Sequence, residues 1–240
     1  MMVETEITFS FLLATAVSIG FVHTLIGVDH SLVFIVIGKA RNWPLKRVLG
    51  LTALCGLGHV LSSVILGYAG IGLGVAIQKL EWIESSRGEL AANLLIGFGL
   101  AYGCRALWKA LRNKEHAHEH SHAGGIIHSH QHNHHRDHTH AHEMPGKGIT
   151  AWSLFIIFVL GPCEPLIPIL MAPAAEHHWL WVFLIATAFG ITTIGTMLAV
   201  VAAGFMGLKF IRVSFLERFG NVFAGFAIAG SGLAIQLLGI

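Results

Sequence analysis

Apolar residues in this chain run in long unbroken blocks instead of alternating with polar ones, and six blocks stand out: about 7–38, 47–73, 90–111, 149–174, 179–208 and 214–240. Roughly 20 apolar residues in a helix cross the ~30 Å hydrocarbon layer of a bilayer. Each block is therefore predicted to be a membrane-spanning helix, and the fold class is an all-α integral membrane protein with about six transmembrane helices. The first block is 32 residues long with Asp29 as its one acid. That exceeds one straight crossing, so it is expected to tilt or break near Gly27. Three proline residues, Pro162, Pro165 and Pro168, fall inside the fourth block. They remove amide donors and should loosen that helix too.

The polar stretches between blocks set orientation, because Lys and Arg collect on the cytoplasmic side. Lys39, Arg41, Lys46 and Arg47 lie between the first two blocks. Arg112, Lys114, Arg136 and Lys147 lie between the third and fourth, and Lys209, Arg212 and Arg218 around the last connection. These three connections are expected to be cytoplasmic. The second connection carries Lys79 and Arg87 balanced by Glu81 and Glu84, the fourth has neither Lys nor Arg, and the N-terminal stretch is acidic. Both termini are then expected outside a cytoplasmic membrane. Composition agrees: 54% of the 240 residues are hydrophobic and 12% charged, too apolar for a surface solvated by water. A net charge of +2, with the basic residues scattered between blocks, excludes a nucleic-acid footprint. The three cysteines Cys55, Cys104 and Cys163 form no CxxC pair, which argues against a disulfide framework. The start MMVETEITFS has no basic run of the kind that opens a signal peptide, so the first block is expected to be retained.

The chain also resembles itself. Residues 27–40 align without a gap on 161–174, 58–70 on 195–207, and 89–101 on 217–229, each register pairing several glycines. Asp29 then stands opposite Cys163, His30 opposite Glu164, and Asn93 opposite Asn221. Three collinear matches over halves of three blocks predict two inverted three-helix repeats, residues 1–112 and 149–240, joined by a connecting segment at 113–148.

Ionisable groups inside hydrocarbon are costly and mark cavities or pathways. The chain places His23, Asp29, His30, His59, Cys163 and Glu164 within its apolar blocks. His23 and His30 are seven residues apart, two helical turns, and share a face with Asp29 beside the second. Imidazole, carboxylate and thiolate suit nickel, cobalt, zinc or copper and not the hard cations. A neighbouring helix can also satisfy any one of these groups, and Cys163 alone can pack as a small hydrophobe. Thr192, Thr193 and Thr196 either line the same cavity or let helices approach closely, and Asn93 and Asn221 are expected to bond between helices. Cys55 and Cys104 are read as packing residues.

The connecting segment holds twelve of the seventeen histidines within residues 116–142: His116, His118, His120, His122, His128, His130, His132, His134, His135, His138, His140 and His142. With almost no apolar residue to bury, the tract is expected to be disordered. Its closely spaced imidazoles bind divalent transition metals in interchangeable subsets, giving an accessory cytoplasmic buffer or sensor. His177 and His178, on the opposite side, either collect ions at an outer mouth or sit at the interface with Trp179 and Trp181.

HTLIGVDH at 23–30, LGHVLSS at 57–63, GPCEPLIP at 161–168 and the histidine-rich segment together resemble the nickel/cobalt transporter superfamily, in particular its shorter branch of urease-accessory (UreH-like) membrane proteins. The resemblance implies a metal site on His23, Asp29 and His30, joined by His59. One difference is that five residues separate His23 from Asp29, where the typical permeases have four. The expected function is carriage of a divalent transition-metal ion, nickel or cobalt before zinc or copper, by a carrier and not an enzyme. No prosthetic cofactor is expected; the partners are the ion, the bilayer and a cytoplasmic metallochaperone. The chain has no P-loop, so an ion gradient or the membrane potential is the expected drive. Two other readings fit the same residues: a membrane factor delivering metal to a nickel enzyme, and a thiol or sulfur-compound carrier acting through Cys163.

Overall fold

The long N-terminal apolar block divides at Gly27, where glycine and two ionisable residues interrupt it. In the computed structural model, which describes residues 2–112, 117–121, 127–131, 146–161, 163, 165–207 and 214–238, helix α1 (Met2–Ile26) stops at this point. A single 3₁₀ turn, Val28–His30, follows, and α2 (Leu32–Ala40) resumes the block. Gly27 is extended there, with φ −65° and ψ 100°. Its carbonyl accepts from the amide of His30 at 3.1 Å. A Cβ on Gly27 would overlap the folded-back imidazole of His30, so the turn needs glycine for room.

Asn42, at φ 52°, reverses the chain after α2. Pro44, its φ preset for a helix start, opens α3 (Leu45–Gly72). Gly74, at φ 64°, makes the next turn, a backbone conformation that glycine adopts without strain. Helix α4 (Ile77–Arg112) runs for 36 residues, about 54 Å at 1.5 Å per residue. It begins well before the predicted third span, and the charges Lys79, Glu81, Glu84 and Arg87, expected in a connection, are helical. The reason is visible in the packing: Glu84 is fully buried and ion-paired with Arg87 one turn on.

The second half repeats the pattern of a broken helix followed by two long ones: α5 (Gly146–Leu160) and α6 (Leu166–Ala175), then α7 (Trp179–Gly207) and α8 (Ser214–Leu238). The predicted fourth span is thus two short apolar helices meeting at Gly161–Pro165. Five helices are long and apolar enough to cross a membrane: Thr8–Ile26, Leu45–Gly72, Ile77–Arg112, Trp179–Gly207 and Phe219–Leu237. Between the halves, Ala117–Ser121 and Ile127–Gln131 pair as a short antiparallel ribbon, β1–β2, with His118 opposite His130 and His120 opposite His128. The chain is otherwise helical among the described residues.

Helices α1 and α7 pack together, as do α3 and α5; α2 lies against α8, and α6 against α4. Helices α4 and α8 approach to backbone contact. A Cβ on Gly99 or Gly225 would collide with the main chain of the facing helix, the small-residue packing typical of helices in lipid. One apolar core joins Phe34 and Ile37 of α2 with Leu154 of α5, Met197 of α7 and Ile228 of α8. A second joins Ala16 of α1 with Cys163, Leu166 and Leu170 and with Ile185 and Phe189 of α7. Large apolar side chains such as Phe11, Ile65, Ile191 and Leu237 cover the outside, a surface suited to acyl chains.

Candidate metal centre

The break at Gly27 brings His30 back towards the last turn of α1. His23 projects from that turn, and the His23 and His30 rings lie edge to face with centroids 4.9 Å apart. Helix α3 passes the same point and contributes His59, whose ring is 5.1 Å from that of His30 and again edge-on. One ligating nitrogen from each of the three histidines can be chosen so that all lie within 4.8 Å of one another. Among the described residues, these three form the group of ligating side chains close enough to share an ion.

What the nitrogens face decides the chemistry. The Nε2 atoms of His23, His30 and His59 are all buried with no hydrogen-bond partner. A buried polar atom without a partner costs about 1–3 kcal/mol, and three in one place call for a common ligand. On the other edge of the rings, His30 Nδ1 donates to Asp29 Oδ1 at 2.9 Å, and His59 Nδ1 donates to the carbonyl of Phe158 at 3.3 Å. With these two bonds made, a neutral ring carries its proton on Nδ1 and keeps its lone pair on the unpartnered Nε2. Carboxylate or carbonyl behind a metal-binding histidine is the arrangement that fixes its tautomer and raises its basicity.

Asp29, expected as a direct ligand, lies outside the group of three and bonds the Nδ1 of His30, adding a carboxylate beside the cluster. Cys163 is fully buried but belongs to the apolar core around Leu166 and Phe189, not to the histidine group. Its amide donates to Glu84 Oε2 at 3.1 Å and to Ser63 Oγ at 3.2 Å. Glu164 lies outside the described residues. So do His116, His122, His132, His134, His135, His138, His140 and His142 of the tract; the other four, His118, His120, His128 and His130, occupy paired positions of the ribbon.

The hydroxyl of Thr193 is buried without a partner on the α7 face that meets Gly20 of α1. Thr192 bonds the carbonyl of Ala188, and Thr196 is buried. Asn93 and Asn221 bond between helices as expected: Gln236 donates to Asn93 at 2.9 Å, and the Tyr102 hydroxyl to Asn221. His178 stacks on Trp181 with ring centroids 4.6 Å apart, and Glu176 lies 3.6 Å away.

The sequence reading passed over Glu84, Arg87, Ser62 and Ser63. The signal was present in two spacings: Ser62 and Ser63 follow His59 by three and four residues, on its own helix face. Glu84 and Arg87 are an i, i+3 pair, the spacing of an intrahelical ion pair and not of a loop. With the geometry in hand, comparison with protein-family models, with curated proteins and with solved structures finds no match to this chain.

Proposed function

We propose that this chain carries a divalent transition-metal ion across a lipid bilayer, with His23, His30 and His59 as its ligands during passage. The observation that carries the reading is a group of three histidines, each able to offer one ring nitrogen within 4.8 Å of the others and each with a buried, unpartnered Nε2, between helices long and apolar enough for a membrane. Three imidazoles favour nickel, cobalt, zinc and copper(II) over magnesium or calcium, and the resemblance to nickel/cobalt permeases ranks nickel and cobalt first. Three protein ligands leave further coordination positions to water, so the ion is held but not caged. A carrier needs binding strong enough to load and weak enough to release.

Two further features support a carrier. The helix pairings keep their form when the halves are exchanged: α1 on α7 answers α5 on α3, α2 on α8 answers α6 on α4, and α4–α8 and α3–α7 map onto themselves. This is what an inverted repeat produces, with α5 and α6 together as the sixth, broken crossing. The breaks at Gly27 and Gly161 also lie beside the site. Alternating access then follows from one half rocking on the other, driven by an ion gradient or the membrane potential. In this reading the basic connections lie on the cytoplasmic side, with the histidine tract there and both termini outside.

The test is uptake of nickel, cobalt, zinc and copper into proteoliposomes by wild type, by His30→Ala and by a chain lacking residues 116–142. Flux lost in His30→Ala and retained without the tract is the expected result. Metal binding without flux in wild type would replace the carrier by a membrane delivery factor.

A further inference from the structure

The second break, between α5 and α6, leaves backbone groups that no helix can satisfy. The last carbonyls of α5 and the first amides of α6 are orphaned by construction, and Pro162 and Pro165 supply no amide donor. The chain meets this need from α4. Arg87 Nη2 donates to the carbonyl of Val159 at 2.8 Å and, more distantly, to that of Gly161 at 3.5 Å. Glu84 Oε2 accepts the amide of Cys163 at 3.1 Å, and Arg87 and Glu84 bond each other. The cation sits at the C-terminal end of α5 and the carboxylate on the amide of Cys163 in the turn that leads into α6. Each sign complements the helix dipole it faces.

A buried ion pair is a poor way to gain stability, since apolar residues of the same size often do as well. Its value here lies in direction, and the direction is towards His59. The carbonyl next to Val159, that of Phe158, accepts the His59 Nδ1 proton. Gly161 lies against the same ring: a Cβ there would stand 3.2 Å from His59 Nδ1. The guanidinium also reaches α3 itself. Arg87 Nη2 donates to Ser62 Oγ at 2.8 Å, and Ser62 Oγ donates to the carbonyl of His59 at 2.8 Å. Ser63, the next residue, donates to Glu84 Oε2 at 3.2 Å. The Arg87–Glu84 pair thus touches both the helix that carries His59 and the chain break that orients its ring.

We infer that Arg87 and Glu84 are positioning residues for metal binding: they clamp the end of α5 to α3 and thereby keep the Phe158 carbonyl on His59 Nδ1, which holds the Nε2 of His59 towards the ion. The inference rests on the proposed metal site and predicts a specific dependence. Disturbing the clamp weakens binding through His59 and through no other ligand.

The experiment is a double-mutant cycle on the full chain in detergent, read by cobalt(II) titration and its ligand-field spectrum, taking the part of the signal that His30→Ala abolishes. Arg87→Met is expected to weaken that binding about tenfold, the lower end for loss of an outer partner of a ligand, and to shift the spectrum towards that of His59→Ala. In a His59→Ala background the same exchange should change affinity by less than about twofold, the scatter of independent sites. Equal weakening in both backgrounds means a general structural role and overturns the inference, as does unchanged binding in Arg87→Met. Should Arg87→Met not fold, Ser62→Ala, which removes one hydroxyl between the guanidinium and His59, enters the same cycle under the same two criteria. A wild-type chain with no His30-dependent cobalt signal would instead sink the metal site, and the clamp's role with it. A signal present but uncoupled sinks the clamp alone.

Discussion

Replacing Asp29 separates the role the geometry assigns it from the role of a ligand. Its Oδ1 accepts from His30 Nδ1 at 2.9 Å, on the ring nitrogen opposite the unpartnered Nε2, and Asp29 is not one of the three residues grouped closely enough to share an ion. A hydrogen bond to a charged group contributes about 1.5–3 kcal/mol. At 1.4 kcal/mol per tenfold, its loss corresponds to about 10- to 100-fold in metal affinity, the range found for outer partners of metal-binding histidines. Asp29→Asn keeps an acceptor and loses the charge, so it belongs near the lower figure. Asp29→Ala belongs near the upper one. The assay is competitive titration with nickel and cobalt in detergent, with the cobalt ligand-field bands as the coordination readout. Both variants should bind more weakly with the bands of wild type, since the donor set of three nitrogens is unchanged. Bands that shift in Asp29→Ala to a new coordination number would show that Asp29 ligates directly and refute the reasoning; so would undiminished affinity.

Two more outcomes follow from named contacts. Gly161→Ala places a methyl group 3.2 Å from both His59 Nδ1 and the Phe158 carbonyl; a few tenths of an ångström of ring displacement is expected to weaken cobalt binding severalfold, in the lower part of the range for outer partners, with thermal unfolding little altered, and unchanged affinity would show that the ring has slack. The tract at 116–142 is expected to hold metal at neutral pH and release it as pH falls through about 6.5, because protonation removes the imidazole lone pair. Equilibrium dialysis of wild type against a chain lacking those residues, at pH 7.5 and 5.5, checks this, and a difference in bound metal that persists at pH 5.5 would contradict it.

Much of the architecture was legible in the apolar blocks because a membrane helix needs little beyond length and hydrophobicity. The 32-residue first block was too long for one crossing, and it broke at the residue, Gly27, that alone has room for the His30 ring. Proline density located the second break. The spacing of His23 and His30, with His59 in another block, also announced the site. Two things were not legible. A carboxylate next to a histidine in sequence can ligate beside it or hold it from behind, and only the fold at Gly27 shows the contact that favours the latter, Asp29 Oδ1 on His30 Nδ1. The start of α4 was hidden for a different reason. Lys79, Glu81, Glu84 and Arg87 lower the local hydropathy as a loop would; Lys79 and Glu81 are exposed on the helix, and the burial of Glu84 and Arg87 goes with contacts to broken backbone more than 70 residues away in sequence, to which Arg87 donates.

The division of labour between the halves bears on how a site of this kind can release its ion. All three histidines of the proposed site come from the first half: α1, the turn after it, and α3. The second half contributes no ligating side chain to this group among the described residues. Instead its Phe158 carbonyl sets the tautomer of His59. A movement of α5 relative to α3 therefore alters the site without pulling any ligand off its own helix. Withdrawing the carbonyl frees the His59 proton to occupy either nitrogen, and with the proton on Nε2 the lone pair moves to Nδ1, so Nε2 no longer serves the ion. Under the proposed function, the relative motion of the halves that changes access is the same motion that changes affinity, as an alternating-access carrier requires. Binding would be tight when α5 is docked on α3 and weaker when the halves part.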